Sequence, residues 1–227
     1  MNKICIGIID EDISEINDIK RTIFANKPEA ILEDSIEFKD YPLPNTPATL
    51  SEEMADAVIQ DIVDNVIHSL VVDYRIIVES TCIEGTEIFK RISAIVPKFP
   101  IIILTNVPGD CYKPFVDADK VYSKREFFKL EEEYSQEKTS NIFRNVSNYK
   151  EQRAKLMTTL AGQLALLEQN GYSTEVYKDV ISLEDELSDY IPQEKTLLTN
   201  ALDLTDLSNA VDLLKEANKL LGDNDED

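Results

Sequence analysis

Several residue types are scarce in this chain of 227 residues, and each scarcity excludes something. The three cysteines, Cys5, Cys82 and Cys111, are an odd number without metal-type spacing. They read as reduced, structural thiols of a cytoplasmic protein rather than a disulfide frame. Basic residues are short: 23 stand against 44 acidic ones, a formal charge of −21. Such a chain repels phosphate backbones and anionic lipid, so neither nucleic acid nor a membrane surface is an expected partner. No apolar run approaches the ~18 residues of a membrane helix. Met1 leads into Lys3 and a short apolar stretch that meets Asp10 almost at once, so no secretory leader is expected. There is no Gly-rich nucleotide loop, no HExxH and no nucleophile elbow.

Proline is scarce in only one half. Eight of the nine prolines fall in the first 114 residues, and only Pro192 lies beyond. Proline is excluded from helix interiors, so a turn-rich first half and a long-helical second half are predicted. Charge does not separate the halves. Residues 1–124 hold 12 basic and 22 acidic side chains (−10), and residues 125–227 hold 11 and 22 (−11). A hydrophobic content of 43% suffices for a buried core, and the length allows one or two domains.

The first half alternates strand-like and helix-like patterns. KICIGII (3–9) is a short β-branched run suited to a buried parallel strand. Asp12 and Glu15 form a capping-box-like pair for a helix carrying Ile13, Ile16, Ile19, Ile23 and Phe24. A weaker strand covers about 35–41, followed by the proline-rich loop DYPLPNTPATLS. Residues 51–67 predict a helix with Met54, Val58, Ile62 and Val66 on one face. Strands follow at 69–72, 100–104 and 119–122, with a helix over 86–96. Repeated strand–helix units imply a parallel sheet covered by helices on both faces. Ligands of such sheets bind beyond the carboxyl ends of the strands.

Those ends carry Asp10-Glu11-Asp12, Asp73, Thr105-Asn106 and Ser123-Lys124. Carboxylates gathered on one edge repel unless a cation neutralises them, and Mg²⁺ takes oxygen ligands of this kind. A carboxylate not fully committed to the metal can attack phosphorus and carry an aspartyl phosphate. A lysine and a threonine hydroxyl suit the remaining phosphoryl oxygens.

In IGIIDED, LVVDY, Gly85-Thr86-Glu87, PIIILTN and VYSK, residues 1–137 resemble the receiver domain of two-component response regulators. The resemblance implies an α/β, flavodoxin-like, doubly wound five-stranded parallel sheet. It implies that Asp10 and Glu11 are metal acids, that Asp73 is the phospho-acceptor, and that the backbone carbonyl of Arg75 is a further Mg²⁺ ligand. Thr105 and Lys124 would bind the phosphoryl group, and Tyr122 would be the aromatic whose rotamer reports phosphorylation. A histidine kinase or phosphotransfer protein would be the donor, and the chain would be a switch rather than a metabolic enzyme. The chain departs from the family where Arg125 replaces a proline, where Asn106 replaces a small residue, and where the loop from Asp73 to Gly85 is long. Pro108, Gly109 and Pro114 argue against a full helix after the fourth strand, and so against the family's usual dimer face.

The remainder, 138–222, reads as an all-α bundle or helical hairpin, with an acidic disordered tail at 223–227. Helices are predicted over 125–137 and 141–170, then from Ser173 with Val176, Val180, Leu183 and Leu187, and again beyond Pro192 through leucines up to Leu221. It has no histidine, so it is not a phosphotransfer domain, and no basic recognition helix. A protein-interaction module is expected, engaging a downstream partner or a second copy of the chain. The rival reading is a pseudo-receiver adaptor that is never phosphorylated. His68, at a helix-to-strand junction, reads as structural.

Overall fold

The computed structural model describes residues 3–44, 46–112, 117–170 and 174–192. Residues up to Pro192 form one compact unit. Strand β1 (Ile4–Ile9) leads through Asp12, which caps α1 (Ile13–Ala25), to β2 (Ile36–Asp40). Helix α2 (Leu50–Val63), β3 (Ser69–Asp73), a hairpin of β4 (Arg75–Val78) and β5 (Thr81–Glu84), and α3 (Gly85–Ile95) follow. Then come β6 (Ile101–Thr105), α4 (Pro108–Tyr112), β7 (Val121–Ser123), α5 (Lys124–Phe127), α6 (Glu133–Asn170) and α7 (Thr174–Ser188).

The main sheet has the order β2-β1-β3-β6-β7, and every pairing is parallel. Counting only its own five strands, the order is 2-1-3-4-5, the flavodoxin-like doubly wound arrangement expected from the sequence. Alternate residues feed two cores. Ile9, Val72 and Ile103 meet Val58 and Ile62 of α2 and Ile88 and Ile92 of α3. Ile8, Val71 and Ile102 meet Ile16, Ile19 and Ile23 of α1 and Ile142 and Phe143 of α6. The strand order reverses its winding between β1 and β3, so the crevice between their carboxyl ends is the natural ligand site.

Four elements differ from expectation. Helix α2 stops at Val63, because Asn65 takes a left-handed backbone (φ 55°), and Val66 is exposed rather than on the buried face. The long loop after Asp73 is the antiparallel β4–β5 hairpin, turned by Glu79 and Ser80, both at positive φ. Its Ile76 and Ile83 enter the core, while Ile77 is 55% exposed. The helix predicted over 125–137 is the single turn α5, after which Glu131 (φ 64°) breaks the chain. The break is fixed from α1: Asn26 accepts from the Glu131 N–H and donates to Ser135 Oγ at 2.8 Å.

The fourth difference is α6. Its 38 residues run about 57 Å at 1.5 Å per residue. The boundary expected at 137/138 falls inside this helix, because Ile142, Phe143, Val146 and Tyr149 are buried core residues. Its far half pairs with α7, burying Leu156, Leu160, Val180 and Leu187. The hairpin returns to the sheet: Asp189 O accepts from the Lys98 N–H (3.0 Å), and Tyr149 donates to Tyr190 O (2.6 Å). The helices expected beyond Pro192, the cap at Ser173 and the tail at 223–227 lie outside the described residues. His68 is buried at the junction before β3, where Nδ1 accepts from the Cys5 N–H at 3.0 Å. Cys5 and Cys111 are buried thiols, Cys82 is exposed, and all three are free.

Candidate functional site

Parallel register builds the site. Ile9 pairs with Val72, so the next residues, Asp10 and Asp73, emerge side by side from β1 and β3. Thr105 pairs with Ser123, which brings Lys124 to the same edge. Gly85 opens α3 against β3. A Cβ there would stand 2.0 Å from the Asp73 carbonyl oxygen, so only glycine admits this approach.

Around a cavity of about 230 Å³ stand Glu11, Asp12, Glu15, Asp73, Arg75, Thr105, Asn106, Val107 and Lys124. Asp10, Asp73, Thr105 and Lys124 are all buried. Lys124 Nζ lies 2.7 Å from Asp73 Oδ1 and 3.3 Å from Asp10 Oδ2, and it also pairs with Glu15. Carboxylate oxygens of Asp10, Glu11 and Asp73 lie within 4.8 Å of one another. Of the site residues predicted from sequence, Glu11, Asp73, Arg75, Thr105 and Lys124 share this cavity, and Asp10 is in direct contact with Lys124.

Tyr122 does not share the cavity. Its buried ring tilts against Phe127, with centroids 6.2 Å apart, and lies under the Lys138 ammonium at 5.3 Å. It lines a different groove, of about 300 Å³, with Ile142, Asn145 and Tyr149 of α6. Asn106, which stands where the resembled family has a small residue, borders the acidic cavity.

Electrostatics follow from burial. Loss of hydration lifts Asp10 to about 6, although the Asp12 N–H and Lys124 favour its charge. Burial likewise raises Asp73, against the stabilising hydrogen bond from Lys124, and raises Glu11. Burial alone would lower Lys124. Its hydrogen bonds to Asp73 and Glu15 outweigh that and hold the ammonium above its ordinary value. Five carboxylates (Asp10, Glu11, Asp12, Glu15 and Asp73) against Lys124 and Arg75 leave a local excess of negative charge, and the buried like charges of Asp10 and Asp73 call for a cation. The three clustered carboxylates are hard oxygen donors and suit Mg²⁺.

Sequence reasoning missed three features here. Glu15 was assigned to the helix cap, but Asp10 Oδ1 already takes the Asp12 N–H at 2.9 Å, and Glu15 turns to Lys124 instead. Arg75 sends its side chain to Asp110 at 2.8 Å, joining β4 to α4 across the cavity edge. Thr105 Oγ1 accepts from the Val107 N–H at 3.1 Å, and burial pushes the Cys111 thiol of α4 up to about 11. Only the long Asp73–Gly85 spacing signalled that something was inserted beside Asp73.

No protein-family model matches the sequence, and no curated protein matches it. Among solved structures, the RcsB response regulator of Salmonella typhimurium, studied for its conformational dynamism for DNA interaction, is similar at 14% identity and a TM-score of 0.40. The match covers 88% of this chain and 98% of that one. The assignment to a receiver-like fold rests on the strand order and the placement of the helices, not on that similarity.

Proposed function

We propose that this chain is a two-component response regulator that accepts a phosphoryl group on Asp73 and passes the change to the helical region beyond it. One observation carries the reading: Asp73 Oδ1 lies 2.7 Å from the Lys124 ammonium while its carboxylate stands within 4.8 Å of those of Asp10 and Glu11. An acceptor, a divalent-cation cradle and a fixed positive charge thus share one crevice.

Asp10, Glu11 and Asp73, with the main-chain carbonyl of Arg75, would hold Mg²⁺, which offsets the repulsion between carboxylate and phosphoryl group. An Asp73 oxygen forms the new bond to phosphorus as the P–N bond of a donor phosphohistidine breaks, and the ring nitrogen keeps the electron pair. Lys124 neutralises one phosphoryl oxygen, and the Thr105 hydroxyl turns to donate to another. Thr105 leaves the Val107 N–H to do so, which couples the pocket to the start of α4. The donor is a histidine kinase or phosphotransfer protein.

The chain is a switch, not a metabolic enzyme. Hydrolases that form aspartyl intermediates place an acid two residues after the nucleophile, and here that residue is Arg75, paired with Asp110. The output is a protein contact rather than nucleic acid, because residues 125–227 carry −11. No helix among the described residues is long and apolar enough to cross a membrane.

Acetyl phosphate with Mg²⁺ tests the proposal. The expected result is a mass gain of one phosphate, lost in Asp73→Asn. The Arg75–Asp110 pair at the cavity edge favours a second reading, a pseudo-receiver adaptor with an inert pocket. Unchanged mass in the wild type would establish that one instead.

A further inference from the structure

We infer that Glu15 is a displaceable place-holder for the phosphoryl group on Lys124, a positioning residue that sets how readily the pocket accepts an anion. The inference rests on the receiver reading above. An ammonium has three N–H donors. Lys124 donates to Asp10 and Glu15 and is ion-paired with Asp73, so three carboxylates share the one ammonium. A phosphoryl oxygen competes with these carboxylates for Lys124 and gains the ammonium more fully when one of them leaves.

The three partners are not equally free to leave. The Asp10 side chain is 1% exposed and the Asp73 side chain 8% exposed, whereas that of Glu15 is 30% exposed. Releasing Asp10 or Asp73 from Lys124 strands a buried charge, which is strongly unfavourable. Asp73 must also stay in place, since it bears the incoming group. Glu15 stands in the first turn of α1, and the capping role that would hold it there is filled: Asp12 accepts from the Ser14 N–H, and Asp10 accepts from the Asp12 N–H. A rotation about its side-chain bonds carries the carboxylate from the cavity wall into water, where hydration replaces the ammonium. Glu15 therefore occupies the anion position of Lys124 in the unmodified protein and yields it on phosphorylation. Its charge also adds to the attraction of the pocket for a cation.

These two effects have opposite signs, and a fold defect does not. Beryllofluoride at saturating Mg²⁺, and Mg²⁺ alone, can each be titrated calorimetrically into the full chain. In Glu15→Gln, beryllofluoride is expected to bind roughly fivefold tighter and Mg²⁺ a few-fold weaker. Glu15→Asp keeps the charge but is one methylene too short to hold Lys124, so beryllofluoride tightens while Mg²⁺ binding holds. If Glu15→Gln weakens both ligands, or leaves beryllofluoride unchanged, the inference is overturned while the receiver reading stands. If the wild type binds neither ligand, the receiver reading fails and takes this inference with it.

Discussion

Lys124, the first residue after β7, reaches across the end of β6 to place its ammonium 2.7 Å from Asp73 Oδ1 on β3. Both side chains are buried, and Asp10 and Glu15 share the same ammonium. Lys124→Met leaves several carboxylates facing one another. At neutral pH it should lower stability by about 3 kcal/mol, the usual effect of breaking a buried pair. Phosphoryl acceptance from acetyl phosphate should fall below detection, while Mg²⁺ binds more tightly because a competing cation is gone. Mass spectrometry and calorimetry on the same variant check the opposed outcomes.

Gly85→Ala drives a methyl group into the Asp73 carbonyl at 2.0 Å and the Val72 side chain at 2.7 Å. Both contacts are too close to absorb, so β3 or α3 must move. A loss of roughly 3 kcal/mol in urea unfolding is expected. Phosphoryl acceptance should drop together with stability, because the displaced atom belongs to Asp73, the proposed acceptor.

Asp10 carries a specific pH signature. Its carboxyl titrates near 6 in the folded chain, above the ordinary aspartate value, so the folded state holds the proton more tightly than the unfolded state does. Its contribution to stability therefore falls as pH rises from about 4 to 6, by on the order of 2 kcal/mol. His68 works the other way. Burial lowers it to about 4, so its contribution is lost as pH falls from about 6.5 toward 4. The two windows overlap, and the variant separates them. Without metal, Asp10→Asn should be more stable than the wild type at pH 7 and lose that advantage at pH 4. Equal differences at both pH values in chemical denaturation would contradict the assignment.

Tyr149 fastens the long helix to the sheet domain. Its ring meets Phe99 edge-on at 5.4 Å, stacks on Tyr190 at 5.9 Å, and its hydroxyl donates to Tyr190 O. Tyr149→Phe should cost about 1 kcal/mol, one hydrogen bond, and Tyr149→Ala about 3–5 kcal/mol, a large core cavity. Hydrogen exchange should show α7 opening first in the alanine variant.

The hairpin beside the acceptor turns on two non-glycine residues with positive φ, Glu79 at 48° and Ser80 at 69°. Asn-Gly suits such a turn far better. The double replacement Glu79→Asn with Ser80→Gly should raise stability by about 1 kcal/mol and leave beryllofluoride binding unchanged, since neither residue lines the acidic cavity.

Much of this was legible in one dimension because it depends on local pattern. Short β-branched runs ending in acids, amphipathic helices between them and the proline boundary at 114 specify parallel strands, and parallel strands put Asp10, Asp73, Thr105 and Lys124 on one edge whatever the details. His68 as a structural residue followed from its junction position. Contacts between distant segments with no periodic signature were decided only by folding. Glu15 satisfies the spacing of a capping box equally well, and only the arrival of Lys124 from 109 residues away draws it into the pocket. The β4–β5 hairpin has too few residues to show alternation against its background, and Ile76 and Ile83 are fixed by the core they enter. The start of α6 at Glu133, eight residues before the helix predicted over 141–170, goes with Ile142, Phe143 and Val146 finding the sheet, a burial that no local window of sequence can register.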